Sequence, residues 1–436
     1  MARPAKNQKA ILAKLGIEKL NAMQEEAQLA IHANAEVVLL SPTGTGKTLA
    51  FMLPILQSLE VEKEQVQALI IVPSRELAIQ IEQVVRNMGS GFKTNAVYGG
   101  RSFSQDKIDL KHPPAIIVGT PGRIADHLRR GTITGENIEI LVLDEFDKSL
   151  EVGFESEMKE IIEVLPQVKK RMLTSATHEV EIPEFVGLNS PVVVNYLGDG
   201  IKKLSIKTIV SPTKDKLPTL VKTLKHLGNQ PGIVFCNFKE SINRVSDYLT
   251  DNGIEHGCFY GGLEQQDRER ALIKFRNGTH QLILATDLAA RGLDIPEIKF
   301  IIHYHLPLRS QEFVHRNGRT ARMKNDGVAY VLVWEKEELP DFIPRNESVE
   351  IGDAPLPMQS EWETVFISGG RRDKISKGDI AGLFLKQGKL ASEDLGVIEL
   401  KQDCAFVAIK KSKLNSVIQA IDNTRLKKKK VRISKI

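Results

Sequence analysis

Eight consecutive residues, Ser41-Pro42-Thr43-Gly44-Thr45-Gly46-Lys47-Thr48, concentrate groups that can hold a phosphate. A short apolar run, residues 36–40, leads in, and Leu49-Ala50-Phe51-Met52-Leu53 leads out. The run reads as a buried strand and the exit as the start of a helix. Glycines let backbone N–H groups converge on an anion, and the helix N-terminus adds partial positive charge. Lys47 is placed for the β and γ phosphates of a nucleotide, and the Thr48 hydroxyl suits Mg²⁺. Ser41 stands where this pattern ordinarily begins with glycine. A second cluster, Asp144-Glu145, follows the apolar run Ile140-Leu141-Val142-Leu143. A carboxylate at the C-terminal end of a parallel strand faces the crevice where ligands bind. Asp144 can hold Mg²⁺ through water, and Glu145 can orient or deprotonate an attacking water. Arg319 and Arg322, three apart, share a helix face.

Such groups need rigid elements behind them. Residues 1–35 read as two helices. Apolar runs then recur at 37–40, 68–72, 115–118, 138–143, 171–174 and 192–196, with helical stretches between them. Strands this continuously apolar are buried on both faces, which predicts a parallel sheet between two helical layers. A second set follows at 206–210, 232–237, 257–260, 281–286, 300–305 and 328–333. Residues 197–203 read as a hinge. The stretch 336–361, with four prolines and many acids, reads as a linker. From 362 to 436 the order is β-α-β-β-α-β, a split βαβ domain. The expected domains are therefore 1–197, 204–335 and 362–436.

The chain has 436 residues, 42% hydrophobic and 26% charged, enough for several cores. No apolar run is long enough to span a bilayer, and the N-terminus lacks a signal-peptide core. Cys236, Cys258 and Cys404 have no metal spacing, so a reducing cytoplasm fits. Residues 362–436 hold 17 Lys and Arg against 8 Asp and Glu, leaving 43 against 47 in the remainder. All the basic excess therefore sits in the last domain, the footprint of a polyanion-binding appendage.

Asp144-Glu145-Phe146-Asp147 resembles the signature of the DEAD-box RNA helicases, with Phe146 where Ala is usual. Other family motifs appear in order. Gly16-Ile17 with Met23-Gln24 resembles the adenine-reading motif, although no aromatic residue precedes Gln24. Pro73-Ser74-Arg75-Glu76-Leu77-Ala78, Gly99-Gly100 and Thr120-Pro121-Gly122-Arg123 are similar to RNA-backbone motifs. Ser175-Ala176-Thr177, Ile233–Asn237, Gly261 with Gln265 and Arg268, Ala285–Asp294 and His315–Arg322 complete the set, with Ala321 in place of Gly. The Ser41-x-Thr43-Gly44 opening fits the helicase form of the phosphate loop.

The resemblance covers roughly residues 10–335 and implies two tandem RecA-like domains and an RNA-dependent ATPase using ATP and Mg²⁺. It implies ATP contacts from Gln24, the loop residues 41–48 and Asp294, and arginine fingers at Arg319 and Arg322. It implies coupling through Ser175 and Thr177, which would hydrogen-bond toward Asp144 and His315 and so link the ATP state to domain closure. RNA contacts are implied at Pro73, Arg75, Gly100, Thr120, Arg123, Gln265, Arg268 and Thr286. Taken alone, Thr120 is also a helix N-cap followed by Pro at the first turn.

In the last domain, Val365–Gly370 and Gln402–Ile409 resemble the two ribonucleoprotein motifs of an RNA-recognition module. Strand alternation puts Phe366 and Phe406 on one face, where bases would stack, with Cys404 in place of a third aromatic. Arg371, Arg372, Lys374, Lys410, Lys411 and the run 427–430 are candidate phosphate contacts. Gly369–Lys374 with Gly378-Asp379-Ile380 looks like the C-terminal domain of the DbpA group of DEAD-box proteins. That implies structured 23S-type ribosomal RNA and pre-ribosomal particles as partners, and a monomer is expected. A cold-shock-type protein of broad RNA specificity, an ATP-gated RNA clamp and a DNA-translocating motor remain open alternatives.

Overall fold

The computed structural model describes residues 7–151, 153–177, 181–199, 204–287, 298–320, 327–346 and 348–436. Two compact units divide the chain near residue 203.

The first unit is built on seven parallel strands: β1 (Glu36–Leu40), β2 (Ala68–Ile71), β3 (Thr94–Val97), β4 (Ile116–Gly119), β5 (Ile140–Leu143), β6 (Lys170–Ser175) and β7 (Val192–Asn195), in the order β3-β4-β2-β5-β6-β1-β7. Period-two alternation divides each strand between two cores. Ala68, Ile70, Ile116, Val118, Ile140 and Val142 pack with the helices 8–15, 22–33, 47–58 and 75–88. Leu69, Ile71, Ile117, Leu141 and Leu143 pack with Ile124, Met158 and Ile161 on the other face. Five expected strands lie within one residue of the observed ones at each end, and the observed 140–143 strand starts two residues later than expected. Edge strand β3 was not expected: it has four residues, two of them polar, and only its last two are buried.

The second unit holds the other parallel sheet: β8 (Leu204–Ser211), β9 (Gly232–Phe235), β10 (Gly257–Phe259), β11 (Leu282–Ala285), β12 (Phe300–His303) and β13 (Gly327–Trp334), ordered β10-β11-β9-β12-β13-β8. Described residues of the expected linker pack against this unit. Ile343 is buried against Phe313, Val331 and Val333. Asn346 Nδ2 donates to the Ile206 carbonyl at 2.9 Å, and the Val349 N–H to that of Thr208 at 2.8 Å. Asn346, Ser348 and Val349 thus lie beside edge strand β8 and take up two of its carbonyls, which blunts part of an open edge. The expected hinge at 197–203 lies partly outside the described residues.

The same unit contains a four-stranded antiparallel sheet: β14 (Trp362–Ile367), β15 (Leu395–Leu400), β16 (Ala405–Lys410) and, after a short hairpin β17 (Arg425–Leu426) and β18 (Lys429–Lys430), β19 (Ile433–Lys435). The order is β15-β16-β14-β19, with helices 377–382 and 414–421 on one face. The β-α-β-β-α-β reading holds. The last strand starts three residues later than expected because Lys429 and Lys430 serve the added hairpin.

Candidate active site and RNA-contact residues

The phosphate loop is tied together by its own hydrogen bonds. Lys47 is buried, and its Nζ donates to the carbonyls of Ser41 (2.6 Å) and Pro42 (3.1 Å). Burial lowers its amine below the usual lysine range, while Glu145 and Asp144 pull it back up. Ser41 Oγ lies 2.8 Å from Thr45 Oγ1, which donates to the Pro42 carbonyl. Ser41 is therefore a structural member of the loop, tying its entry to its turn. Gly46 has φ +88°, and a Cβ there would stand 2.4 Å from Gln24 Nε2. That nitrogen donates to the Gly46 carbonyl at 3.3 Å. Gln24 also closes a capping box with Asn21, whose Nδ2 donates to Thr45 O at 3.1 Å. The expected adenine reader is thus pinned to the phosphate loop by its own helix cap.

Asp144 directly follows β5 and is buried. Burial first, and Glu145 second, push its carboxyl up to about 6. A neighbouring cation would reverse that shift. A carboxylate plus the Thr48 hydroxyl is a hard-oxygen donor set suited to Mg²⁺ that keeps waters and phosphate oxygens. No cluster of three His, Cys, Asp or Glu able to hold a metal occurs among the described residues. The oxygen donors of Asp144 and Thr48 fit a cation that arrives with a nucleotide.

Glu145 follows with φ +50° and pairs with the buried Lys148 at 2.7 Å. Phe146 is 1% exposed and packs into the core on the 124–161 side of the sheet. Ser175, expected to reach toward Asp144, instead donates to the Thr177 carbonyl at 3.0 Å. The hydroxyl that meets Asp144 belongs to Thr174. Thr177 Oγ1 is 3.4 Å from Asp147 Oδ2. The Ser175 N-terminal neighbour was visible in the sequence but carried no motif of its own.

The expected RNA contacts of the first unit converge on one edge. Ser74 caps the helix that starts at Arg75. The Arg75 guanidinium lies against Gly99-Gly100, where a Cβ on Gly100, at φ +85°, would meet Arg75 Nη1 at 2.4 Å. Thr120 sits at the N-cap position with Pro121 in the first turn, but its side chain makes no cap hydrogen bond. Arg123 donates through Nε to Asp106 at 2.8 Å and through Nη2 to the Arg101 carbonyl at 2.9 Å. Pro73 precedes this group in the turn after β2.

In the second unit His315 and Arg319 are buried at and just after helix Ser310–Asn317. Arg316 forms a bidentate pair with Asp287 at 2.7 and 2.6 Å and donates to Asn237 and the His305 carbonyl. It ties Asp287, next to Thr286 at the end of β11, to the helix. Gln265 and Arg268 stand in the first turn of helix Gln265–Arg276. Asp294 and Arg322 lie outside the described residues.

The C-terminal sheet face expected to stack bases meets protein. Phe366 and Phe406 pair across β14 and β16, with rings 5.7 Å apart edge to face. The same face carries Thr364 and Glu399. Thr364 Oγ1 is 2.7 Å from Thr279 Oγ1 and accepts from Asn277 Nδ2 at 3.3 Å. Glu399 accepts two bonds from Arg276, at 2.7 and 2.8 Å, and Lys401 pairs with Glu269 at 2.8 Å. Phe406 is buried and Phe366 half-buried. Lys410 lies over the Trp362 ring and pairs with Glu361, and Lys411 contacts Gln359 and Glu255.

The remaining basic residues gather elsewhere. Lys429 pairs with Asp373, and Lys427 donates to the Lys374 carbonyl, each at 2.8 Å. These bonds bring the hairpin 425–430 beside Arg371, Arg372 and Lys374.

Two parallel sheets with a phosphate loop, an acidic pair and a basic motif helix define a helicase core. A DEAD/DEAH box helicase model matches residues 21–185, a helicase conserved C-terminal domain model residues 215–324, and a DbpA RNA binding domain model residues 364–435. The chain belongs to the DEAD-box family of ATP-dependent RNA helicases. Among its relatives is the ATP-dependent RNA helicase DbpA of Bacillus subtilis (strain 168), 31% identical over 457 residues, 97% of this chain and 95% of that protein. Its Escherichia coli (strain K12) namesake is 31% identical over 442 residues with the same coverage. The solved structure of S. cerevisiae Dbp5 bound to RNA and ADP BeF3 matches with a TM-score of 0.66 and 28% identity, covering 76% of this chain and 88% of that one. Among the described residues no helix is long and apolar enough to cross a membrane.

Proposed function

We propose that this helicase uses ATP hydrolysis to separate short RNA duplexes locally, and that its C-terminal domain directs it to structured RNA of the large ribosomal subunit during assembly. It would act as a cytoplasmic monomer. The observation that carries the second half is the basic cluster formed by 371–374 and 425–430, within the segment that the DbpA RNA binding domain model matches. Phosphate contacts there position RNA without using the sheet face. Stacking on Phe366 and Phe406 would require that face to undock.

In this reading Lys47 turns from the Ser41 and Pro42 carbonyls to the β and γ phosphates. The loop residues 43–48 cradle them, and Gln24 and Asp294 hold the adenine and the ribose. Thr48 and, through water, Asp144 would hold Mg²⁺, which would supply charge neutralisation at the phosphates. Glu145 takes the proton of the attacking water, with Lys148 keeping its carboxylate in place. Arg319 and Arg322 stabilise charge on the γ-phosphate, while Ser175, Thr177 and His315 carry the nucleotide state between motifs. Arg75, Gly100, Thr120, Arg123, Gln265, Arg268 and Thr286 hold the RNA backbone. The Dbp5 neighbour, solved with RNA and ADP BeF3, supports a site that takes both ligands together.

One experiment tests both halves: ATP hydrolysis by the purified chain stimulated by a large-subunit ribosomal RNA fragment or by an unstructured homopolymer. Stimulation at far lower concentrations of the ribosomal fragment is expected. Glu145→Gln should lower kcat by about 10²–10⁴-fold with both RNAs. Equal stimulation by the two RNAs would remove the ribosomal assignment, and an active Glu145→Gln protein would remove the catalytic one.

A further inference from the structure

The turn that carries Asp144 and Glu145 is held from the neighbouring strand by one hydroxyl. Thr174, on β6, is 1% exposed and lies 30 residues further along the chain. Its Oγ1 donates to Asp144 Oδ1 and accepts the Glu145 N–H at 3.1 Å. That N–H also lies 3.1 Å from Asp144 Oδ1. A hydroxyl has one hydrogen, and here it goes to the carboxylate; the lone pair takes the amide. Three atoms close a small ring, so one oxygen sets both the rotation of the Asp144 carboxylate and the plane of the next peptide. That peptide needs support. A non-glycine residue at positive φ is strained and persists only when its surroundings over-determine it.

Packing alone does not account for a threonine at this position. Met172 and Leu173 precede it in β6, both buried and apolar. Valine has the same shape and would spare the burial of a hydroxyl. The hydroxyl is retained where two hydrogen bonds can be made, both to the residues assigned to the cation and to the water.

We propose that Thr174 is a positioning residue for ATP hydrolysis. Its Oγ1 occupies Asp144 Oδ1, leaving the other carboxylate oxygen for the hydrated cation that accompanies the nucleotide. It also keeps Glu145 in the left-handed conformation from which its carboxylate addresses the attacking water. The proposal rests on the roles given above to Asp144 and Glu145.

The test compares the full-length wild type with Thr174→Val, Thr174→Ser and Glu145→Gln. Three quantities are read: melting temperature, affinity for a fluorescent ADP analogue with and without Mg²⁺, and kcat and KM for RNA-stimulated hydrolysis. Thr174→Val should lower kcat and the Mg²⁺-dependent gain in nucleotide affinity about 10–100-fold, as loss of an outer-shell partner does. KM for RNA and Mg²⁺-free ADP affinity should stay at wild-type values, and Thr174→Ser should restore both losses. Should Thr174→Val fail to fold, Thr174→Ala removes the same hydroxyl without adding bulk and takes its place. A hydroxyl-free variant with wild-type kcat and wild-type Mg²⁺ gain overturns the proposal. An active Glu145→Gln protein instead overturns the underlying assignment, so the two failures are told apart.

Discussion

Arg123 owes its position to a residue that no motif names. Asp106 is buried and accepts hydrogen bonds from Arg123, with Arg101 at 3.3 Å and His127 at 3.2 Å. Burial alone would raise its carboxyl, but the hydrogen bonds from His127 and Arg123, with the charge of Arg101, hold it below the usual carboxylate range. Removing one partner of a buried ion pair leaves the others uncompensated. Asp106→Ala should therefore destabilise the first unit by about 3–5 kcal/mol, read from urea unfolding. It should also raise KM for RNA more than it lowers kcat, because Arg123 loses its anchor while the phosphate loop is untouched. The phosphate loop and the acidic pair were legible because their groups are consecutive in sequence. Asp106, Thr174 and the pairing of Arg316 were not, since the partners lie 17, 30 and 29 residues away. Contacts made across strands leave no local pattern to read.

At the scale of elements, apolar runs located the strands of both parallel sheets except β3, whose Thr94 and Asn95 hide it. Alternation also assigned Phe366 and Phe406 correctly to one face. What covers a face is a tertiary fact, and composition does not carry it. Helix Gln265–Arg276 shows the result: its first turn bears two expected RNA contacts, while Glu269 and Arg276 hold the C-terminal sheet. The Arg276–Glu399 pair is bidentate and mostly shielded, yet partly screened by solvent. Arg276→Glu should weaken docking by about 1–3 kcal/mol. Faster hydrogen exchange at Thr364 and Glu399 in Arg276→Glu, and its reversal in the double variant with Glu399→Arg, are the expected outcomes. Unchanged exchange would mean that the remaining contacts suffice.

For the molecule as a whole, the second unit should be the acid-sensitive one to watch. Burial holds His303 down at about 3, aided by Arg316. Burial likewise holds His305 at about 4, with Lys216 and Arg316 adding to it, and His280 at about 4, with Lys274 and His256 adding to it. An unfolded histidine titrates near 6.5. Between about pH 6.5 and 4 the unfolded chain therefore takes up protons that the folded unit refuses, so stability falls as pH falls through that window. Both tryptophans, Trp334 and Trp362, lie in this unit, so selectively excited tryptophan fluorescence reports it. Its urea midpoint should drop across that window, and His303→Gln should flatten the dependence. The charge asymmetry read from composition marked the RNA-binding end of the molecule, but it could not say which of those cations face outward. Lys410 and Lys411 are engaged at the docking side, whereas the 371–374 and 425–430 cluster is gathered apart from them.

The docked sheet also bears on building chimeras. Residues 362–436 are not a cassette that can be exchanged at the preceding linker. Fused to a foreign helicase core, they would present Thr364 and Glu399 without Thr279, Asn277 and Arg276, and would expose a face carrying two phenylalanines. A transplant that keeps its solubility and its geometry must carry the helix Gln265–Arg276 and the turn to Thr279 along with it. The natural unit of exchange is everything from Leu204 onward.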